Sequence, residues 1–522
     1  MTTTMSLPAP PTDEALAPLY GRAVARASKP LPVVAPYTGE AFASLPQSTP
    51  RRDVAEAFDR ARAAQVDWAR RTPRERARVL LRLHDLVLDR QREVLDLVQW
   101  ENGKARAHAF EEVADIGLAC RYYGRGGPGY LMPRRRAGLF PLLTQAVEVR
   151  HPIGVAGIVS PWNYPLALGA SDALPALVAG NAVVQRPDSQ GALSCLWVVG
   201  LAYEAGLPED LWQVVLGPGS TVGAAVLDQA DHVTFTGSTS TGRQVAERAA
   251  SRLVGCTLEL GGKNPLLVLE DADLGRAAEG AARACFSSAG QLCIGVERLY
   301  VAANRYDAFL DRFLARVQAM RVGAAFDFSM DMGSLTSAGQ LETVTRHVND
   351  AREKGAAVLA GARPRPDLGP YFYEPTVLGN LPENALCHSE ETFGPVVSVF
   401  PVDSEDEAVR RANEGSYGLN ASVWTTDIAR GRQVAARIKA GSVNVNEGYA
   451  AAWGSMDVPM GGMRDSGLGR RHGAEGVLKY TETQSIVAQR VLGLGAPCSL
   501  TSAQWADLLT AALRVLRKTG RR

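Results

Sequence analysis

Val155-Ala156-Gly157-Ile158-Val159-Ser160 is an uncharged run rich in β-branched residues, and Pro161-Trp162-Asn163-Tyr164-Pro165 closes it with a turn. Such a run bounded by prolines reads as a buried strand. Four more short apolar runs follow: Ala182–Val184, Gln213–Leu216, His232–Phe235 and Cys256–Leu260. Helix-like segments lie between them, among them Ala192–Glu204 and Ser240–Ser251. Strands that alternate with helices at this spacing predict a parallel, doubly wound sheet. A second alternation starts at Pro265, with a strand at Arg298–Ala302, a helix at Tyr306–Met320 and a strand at Gly441–Asn446. The fold class is therefore α/β, with two doubly wound domains and a cleft between them. A chain of 522 residues also exceeds what one hydrophobic core of roughly 250–300 residues accommodates.

Outside these runs the chain is less regular. Residues 1 to 50 are proline-rich. From Arg52 to Gly103 the apolar residues Leu80, Leu83, Val87, Val94 and Val98 fall at near-helical spacing, and the charges between them read as solvated faces. Gln145–His151 and Ser485–Val491 look like strands that need a partner, which predicts an oligomerisation extension. Gln504–Arg522 reads as an amphipathic helix ending in Arg517, Lys518, Arg521 and Arg522. Packing within an oligomer is favoured over membrane contact for so short a segment.

Composition narrows the function. A net charge of +1 gives no field to attract nucleic acid or acidic lipid, so a small-molecule substrate is expected. Seven irregularly spaced cysteines without a Cys-x-x-Cys pair fit neither a disulfide framework nor a zinc site, and no metal is expected. The first residues lack the features of a signal peptide, which points to the cytoplasm. Pro152–Gln185 carries one charge, Asp172, but its prolines and asparagines read as buried core with loops rather than a membrane helix.

Four further stretches carry chemistry together: Pro161-Trp162-Asn163-Tyr164-Pro165, Phe235-Thr236-Gly237-Ser238, Leu258–Pro265 and Gly290-Gln291-Leu292-Cys293. With Glu391-Thr392-Phe393-Gly394-Pro395 and the late Pro459-Met460-Gly461-Gly462 turn, their order and spacing resemble the aldehyde dehydrogenase superfamily from about residue 30 to residue 490. That resemblance implies an aldehyde dehydrogenase fold. Residues 1–140 and 153–260 would form the coenzyme domain and 261–445 the catalytic domain. Residues 141–152 and 484–492 would be the oligomerisation strands of a homodimer or homotetramer, and 493–522 the tail.

Chemistry explains why these residues matter. An aldehyde is a poor hydride donor until a thiolate adds to it and makes a tetrahedral oxyanion. Cys293 matches the nucleophile. The resemblance gives the oxyanion to the Asn163 amide and the Cys293 backbone N–H. The thioester left after hydride loss needs water and a base, and Glu259, at the end of an apolar strand, matches that base. Cys285 reads as core. Thr236-Gly237-Ser238 leads into a helix through Gly242, a strand–turn–helix start suited to a pyrophosphate, with the glycines allowing close approach. By resemblance Ser238 lies near the phosphates, Trp162 near the coenzyme, Glu391 on the nicotinamide ribose and Phe393 beside it.

Relatives commonly read Lys-Pro-Ala/Ser-Glu after the second strand, and this chain reads Arg186-Pro187-Asp188-Ser189. Ser189 removes a carboxylate and Arg186 supplies a forked cation, so NADP is favoured over NAD, with Asp188 acting against it. The whole chain resembles most the bacterial NADP-type succinate-semialdehyde dehydrogenases. Yet the arginines that better-known members use for the substrate carboxylate are Ser171 and Ser287 here. Arg298, Arg464 and His472 are candidate substitutes. Tyr164, Trp453, Phe286 and Tyr449 would instead line an apolar tunnel for medium-chain or aromatic aldehydes. A coenzyme A-acylating enzyme is the third reading, opposed by Glu259.

Overall fold

The computed structural model describes residues 7–140, 143–489 and 493–519. Strands β1 (Ala27–Val34) and β2 (Ala41–Gln47) form an antiparallel pair, and four helices follow between Arg52 and Leu131. β3 (Arg134–Arg136) and β4 (Thr144–Pro152) precede the first large sheet. That sheet contains β5 (Val155–Ser160), β6 (Ala182–Pro187), β7 (Trp212–Val214), β8 (His232–Thr236) and β9 (Gly255–Glu259). The second large sheet contains β10 (Asn264–Val268), β11 (Val296–Ala302), β12 (Ala357–Ala360), β13 (Thr376–Gly379), β14 (Val396–Val402), β15 (Asn420–Trp424) and β16 (Ser442–Val445). β17 (Gly467–Leu468) returns to the first sheet, and β18 (Thr481–Gln489) pairs with β4.

The first sheet runs β17-β9-β8-β5-β6-β7, parallel except for β17. The chain moves outward from β5 to β6 and β7, then returns to the other side of β5 with β8. Strand order thus reverses between β5 and β8, and ligands of open α/β sheets bind where such strand ends diverge. The second sheet runs β12-β13-β14-β11-β10-β15-β16, parallel except for β12. Each sheet has its own hydrophobic core, as two doubly wound units require.

The predicted strands all occur: Val155–Ser160 is reproduced as read, and elsewhere the described ends move by no more than four residues. The charged helices are corrected, because several of their charges are not solvated. Asp53, Arg76 and Glu101 are buried. Glu101 accepts from the Leu193 and Ser194 backbone N–H groups at 2.7 and 2.8 Å, so it caps the helix Ala192–Glu204 from inside the core. Arg76 donates to the carbonyl of Val178 at 2.8 Å. Helical periodicity alone cannot distinguish a polar face on water from one buried on backbone groups.

β4 and β18 pair along their whole length, from Thr144↔Gln489 to Pro152↔Thr481, with β3 on the other edge of β4. Residues 490–492, which include the predicted strand end Val491, lie outside the described residues. Among the described residues no strand pairs with the outer edge of β18. The tail forms the helix Ser502–Thr519, with Trp505 buried and Leu508 and Leu513 exposed. Arg521 and Arg522 lie outside the described residues. Among the described residues no helix is long and apolar enough to cross a membrane, and no cluster of metal-ligating side chains occurs.

Candidate active site

Cys293 follows a loop in an uncommon backbone conformation. After the helix Leu274–Phe286, Ser288, Ala289 and Gly290 have φ of 52°, 55° and 70°. Left-handed non-glycine residues cost roughly 1–3 kcal/mol each and persist only where the surroundings fix them. Here buried Gln291 does so: its amide donates to the Ser288 carbonyl at 3.0 Å and accepts from Thr336 N–H at 2.9 Å. At position 290 a Cβ would lie 2.0 Å from the Gly394 carbonyl oxygen, so only glycine fits. The Cys293 carbonyl accepts from the Asn264 amide at 2.7 Å. Its backbone N–H has no partner among the described residues.

Cys293 stands where two cavities meet, and Asn163 and Glu259 line both. The Asn163 amide donates one hydrogen to the Gln291 carbonyl at 3.1 Å. A developing oxyanion needs fixed donors of this kind. Glu259 ends β9, is buried, and its Oε1 has no partner among the described residues. Burial raises its pKa to about 7, against the lowering effect of Arg471 and Lys479. Burial, then Glu391 and Glu259, push the Cys293 thiol up to about 12, with Arg471 opposing.

The first cavity opens where β5 and β8 diverge and includes Trp162, Gly237, Ser238, Glu391 and Phe393. Ser238 caps the 13-residue helix Thr239–Ser251 by accepting from Thr241 N–H at 3.3 Å, so the positive end of that helix faces the cavity. Phe393 (φ 53°) meets Trp162 edge-on at 5.6 Å. Glu391 accepts from Gly262 N–H at 2.8 Å, and burial raises its pKa to about 8. A flat aromatic niche beside a helix N-terminus fits a nicotinamide dinucleotide.

Residues 23–486 match the model of the aldehyde dehydrogenase family. This chain belongs to the aldehyde dehydrogenase family. A Mycolicibacterium smegmatis protein named "Putative succinate-semialdehyde dehydrogenase [NADP(+)]" is 50% identical over 494 residues, covering 95% of each chain. A betaine aldehyde dehydrogenase of Brucella melitensis is 36% identical, over 89% of this chain and 95% of that one. Among solved structures, a Mycobacterium tuberculosis aldehyde dehydrogenase complexed with NAD+ superposes with TM-score 0.85 at 32% identity, covering 90% of this chain and 96% of that one.

In this aldehyde dehydrogenase Arg186 and Ser189 lie apart from the other coenzyme candidates, at the end of β6. Arg186 donates Nε–H to the Gly217 carbonyl at 2.8 Å and pairs with Asp188 at 3.3 Å, beneath Gly219 and Gly223. Gly242 makes its close approach to Leu260, where a Cβ would lie 2.4 Å from the side chain, rather than to the first cavity. Cys285 is buried in the second core.

The second cavity is the tunnel. Tyr164, Tyr449, Trp453 and Ser171 line it as foreseen. Phe286 does not, because it is fully buried and stacks on Phe313. Ser287 is also outside it, accepting from Tyr449 OH at 2.8 Å. Of the candidate cations, Arg298 spends its Nε–H on the Lys263 carbonyl at 2.8 Å, and exposed Arg464 donates to the Asn413 and Gly415 carbonyls at 3.0 and 2.9 Å. His472 lines the tunnel, but burial first, then Arg471, lowers its pKa to about 4, so it is neutral at pH 7.

Sequence reading missed Glu111, Asp115 and Arg471, which line the tunnel. It also missed Lys104 and Glu112. Lys104 donates to Glu112 and to the Asn163 carbonyl at 2.6 and 2.7 Å, and Glu112 accepts from Leu166 and Ala167 N–H. Both are fully buried, and they hold the Asn163 turn. The only local signal was an acidic residue at helical spacing, which looks the same on any solvated face.

Proposed function

We propose that this chain oxidises an aldehyde to the free carboxylic acid, with Cys293 as nucleophile, Asn163 and the Cys293 N–H as oxyanion donors, and Glu259 as hydrolytic base. The observation that carries the reading is that, among the described residues, these three alone line both cavities, so the reacting carbon is reachable from either side. The Cys293 thiolate adds to the carbonyl carbon and the oxygen becomes an oxyanion held by the two donors. A bound nicotinamide supplies the acceptor for the hydride that leaves that carbon. Glu259 then takes a proton from water, the resulting hydroxide attacks the thioester, and the Cys293 sulfur leaves. A base beside the thioester supports the hydrolytic reading over transfer to coenzyme A.

In this reading residues 1–140 and 153–260 carry the coenzyme, 261–445 carry the nucleophile, and the outer edge of β18 joins another copy in a cytoplasmic homo-oligomer. NADP is the preferred coenzyme. Buried Arg186 at the end of β6 supports this, and its ion pair with Asp188 offsets the carboxylate that would oppose a 2′-phosphate.

Succinate semialdehyde is the substrate that the mycobacterial relatives' names support. A second reading, an uncharged aldehyde, is favoured by the tunnel itself. Its wall is mostly apolar and carries Glu111 and Asp115, while its cation, Arg471, is already paired with Asp172. Steady-state rates with succinate semialdehyde, hexanal and benzaldehyde, each with NADP and NAD, test the proposal. Strong turnover of semialdehyde beside weak turnover of the others would remove the second reading. Failure of all three aldehydes would remove the Cys293–Glu259 mechanism.

A further inference from the structure

A buried charged cluster lies behind the base, and the chemistry above does not use it. Asp172 precedes the helix Ala173–Ala179, and both Arg471 and Lys479 pair with it, the latter at 3.1 Å. Arg471 also donates to the Thr236 hydroxyl at 2.6 Å. Its backbone is bridged to Met460 in both directions, at 2.9 and 2.6 Å. Asp172 is 2% exposed and Arg471 9%.

Register places this cluster at Glu259. Thr236 and Glu259 are aligned neighbours on parallel strands β8 and β9. Aligned residues share a sheet face and are separated by about 4.8 Å, the strand spacing. A guanidinium bonded to the Thr236 hydroxyl is therefore held beside the Glu259 carboxylate. The other side of Glu259 is closed by Gly461, where a Cβ would lie 3.1 Å from Oε1, next to the Met460 that bridges to Arg471. Arg471 lines the tunnel together with Glu259 and Cys293.

We propose that Arg471 is a positioning residue for Glu259: a fixed cation, tethered by Asp172 and Thr236, that keeps the buried carboxylate ionised and able to take a proton from water. This rests on the reading of Glu259 as hydrolytic base. The physical need is plain. A carboxylate buried without a cation shifts by several units and stays protonated at neutral pH, whereas an opposite charge within about 4–6 Å recovers one to three of them. Arginine suits the task because it keeps its proton when buried. The other charged or titratable groups facing Glu259 are Arg470 and Lys479, which favour the carboxylate, and Asp172, Glu391 and Cys293, which oppose it or add no cation. His472 and Asp115 share the tunnel wall.

The test is the pH profile of hydrolysis of a chromogenic acetate ester, with the burst reporting acylation of Cys293 and the steady state reporting Glu259-dependent deacylation. In Arg471→Gln the steady-state limb should move to higher pH by about one unit or more, a loss of about fivefold or more at pH 7 that base restores. Arg471→Lys should return the profile close to wild type. Asp172→Asn should move the limb the opposite way, since it removes a negative charge and leaves Arg471 and Lys479 in place. A merely structural role would lower all rates without moving the limb. An unshifted limb in folded Arg471→Gln overturns the proposal. If that variant does not fold, an unshifted or upward-shifted Asp172→Asn overturns it. Glu259→Gln separates the two readings: retained deacylation there removes the base assignment itself, whatever Arg471 does.

Discussion

The two cavities that meet at Cys293 are built from different materials. The coenzyme side is made largely of strand ends and the turns that follow them, joined by Glu391 and Phe393 from the loop before β14. Trp162 follows β5, Gly237 and Ser238 follow β8, and each lies within two residues of its strand. The tunnel is made of side chains from separate helices and loops: Glu111 and Asp115 from one helix, Tyr164 from the turn after β5, Ser171 from the end of the helix Pro165–Ala170, Tyr449 and Trp453 near residue 450, Arg471 and His472 from the last return of the chain. A site built on strand ends is set by topology and tolerates little change. A site built on distant side chains can change its specificity one residue at a time while the chemistry stays fixed.

The sharpest way to break this comparison is to remove the nucleophile, one of the three residues both cavities share. Cys293→Ala should lower aldehyde oxidation by about 10⁴-fold or more, as loss of a nucleophile does. Coenzyme binding, read by quenching of tryptophan fluorescence, should persist because the first cavity is built independently. Loss of coenzyme binding in a folded variant would show that the two sides are not separable. Asn163→Ala should cost kcat about 10²–10³-fold with both substrate types alike, since the oxyanion is common to all aldehydes. A loss confined to one aldehyde would make Asn163 a specificity residue instead.

The same contrast explains what was legible in the sequence. The sheets were legible because their strands are continuous apolar runs, and the coenzyme turns because they follow those runs directly. Cys293, Glu259 and Asn163 were found through short local stretches whose spacing resembles a family. The tunnel was not legible. Glu111 and Asp115 sit four residues apart on Arg106–Leu131 among charges that face solvent elsewhere, and nothing local says that this face meets Tyr449, more than three hundred residues later. Phe286 was misplaced for the same reason: an aromatic near the nucleophile in sequence packs against Phe313 in space. Lys104 and Glu112 escaped because a buried ion pair carries no mark that separates it from a surface pair.

Arg186 tests the coenzyme side beyond the shared residues. Arg186→Ala should reduce kcat/KM for NADP by about 10–100-fold while changing NAD little, the difference expected for losing one charge-assisted bond to a 2′-phosphate. Equal losses with both coenzymes would mean that Arg186 serves the fold through Gly217 rather than the phosphate.

The smallest effect, and the one that bears most on substrate, is Asp115→Asn. Asp115 is 2% exposed, Ser171 donates to its Oδ2, and its Oδ1 has no partner among the described residues. Burial raises its pKa to about 6, opposed by Ser171 and Arg471. Above pH 6 it is therefore an anion in the tunnel wall and repels a substrate carboxylate; below pH 6 it is protonated and does not. At pH 8 Asp115→Asn should raise kcat/KM for succinate semialdehyde about five- to tenfold and leave hexanal unchanged, because only the charged substrate feels the removed charge. At pH 5 wild type and variant should converge. A rise for both aldehydes would make the effect one of shape. A fall for the semialdehyde alone would mean that Asp115 orders Ser171 to bind the carboxylate, and the tunnel would then be tuned for the acid after all.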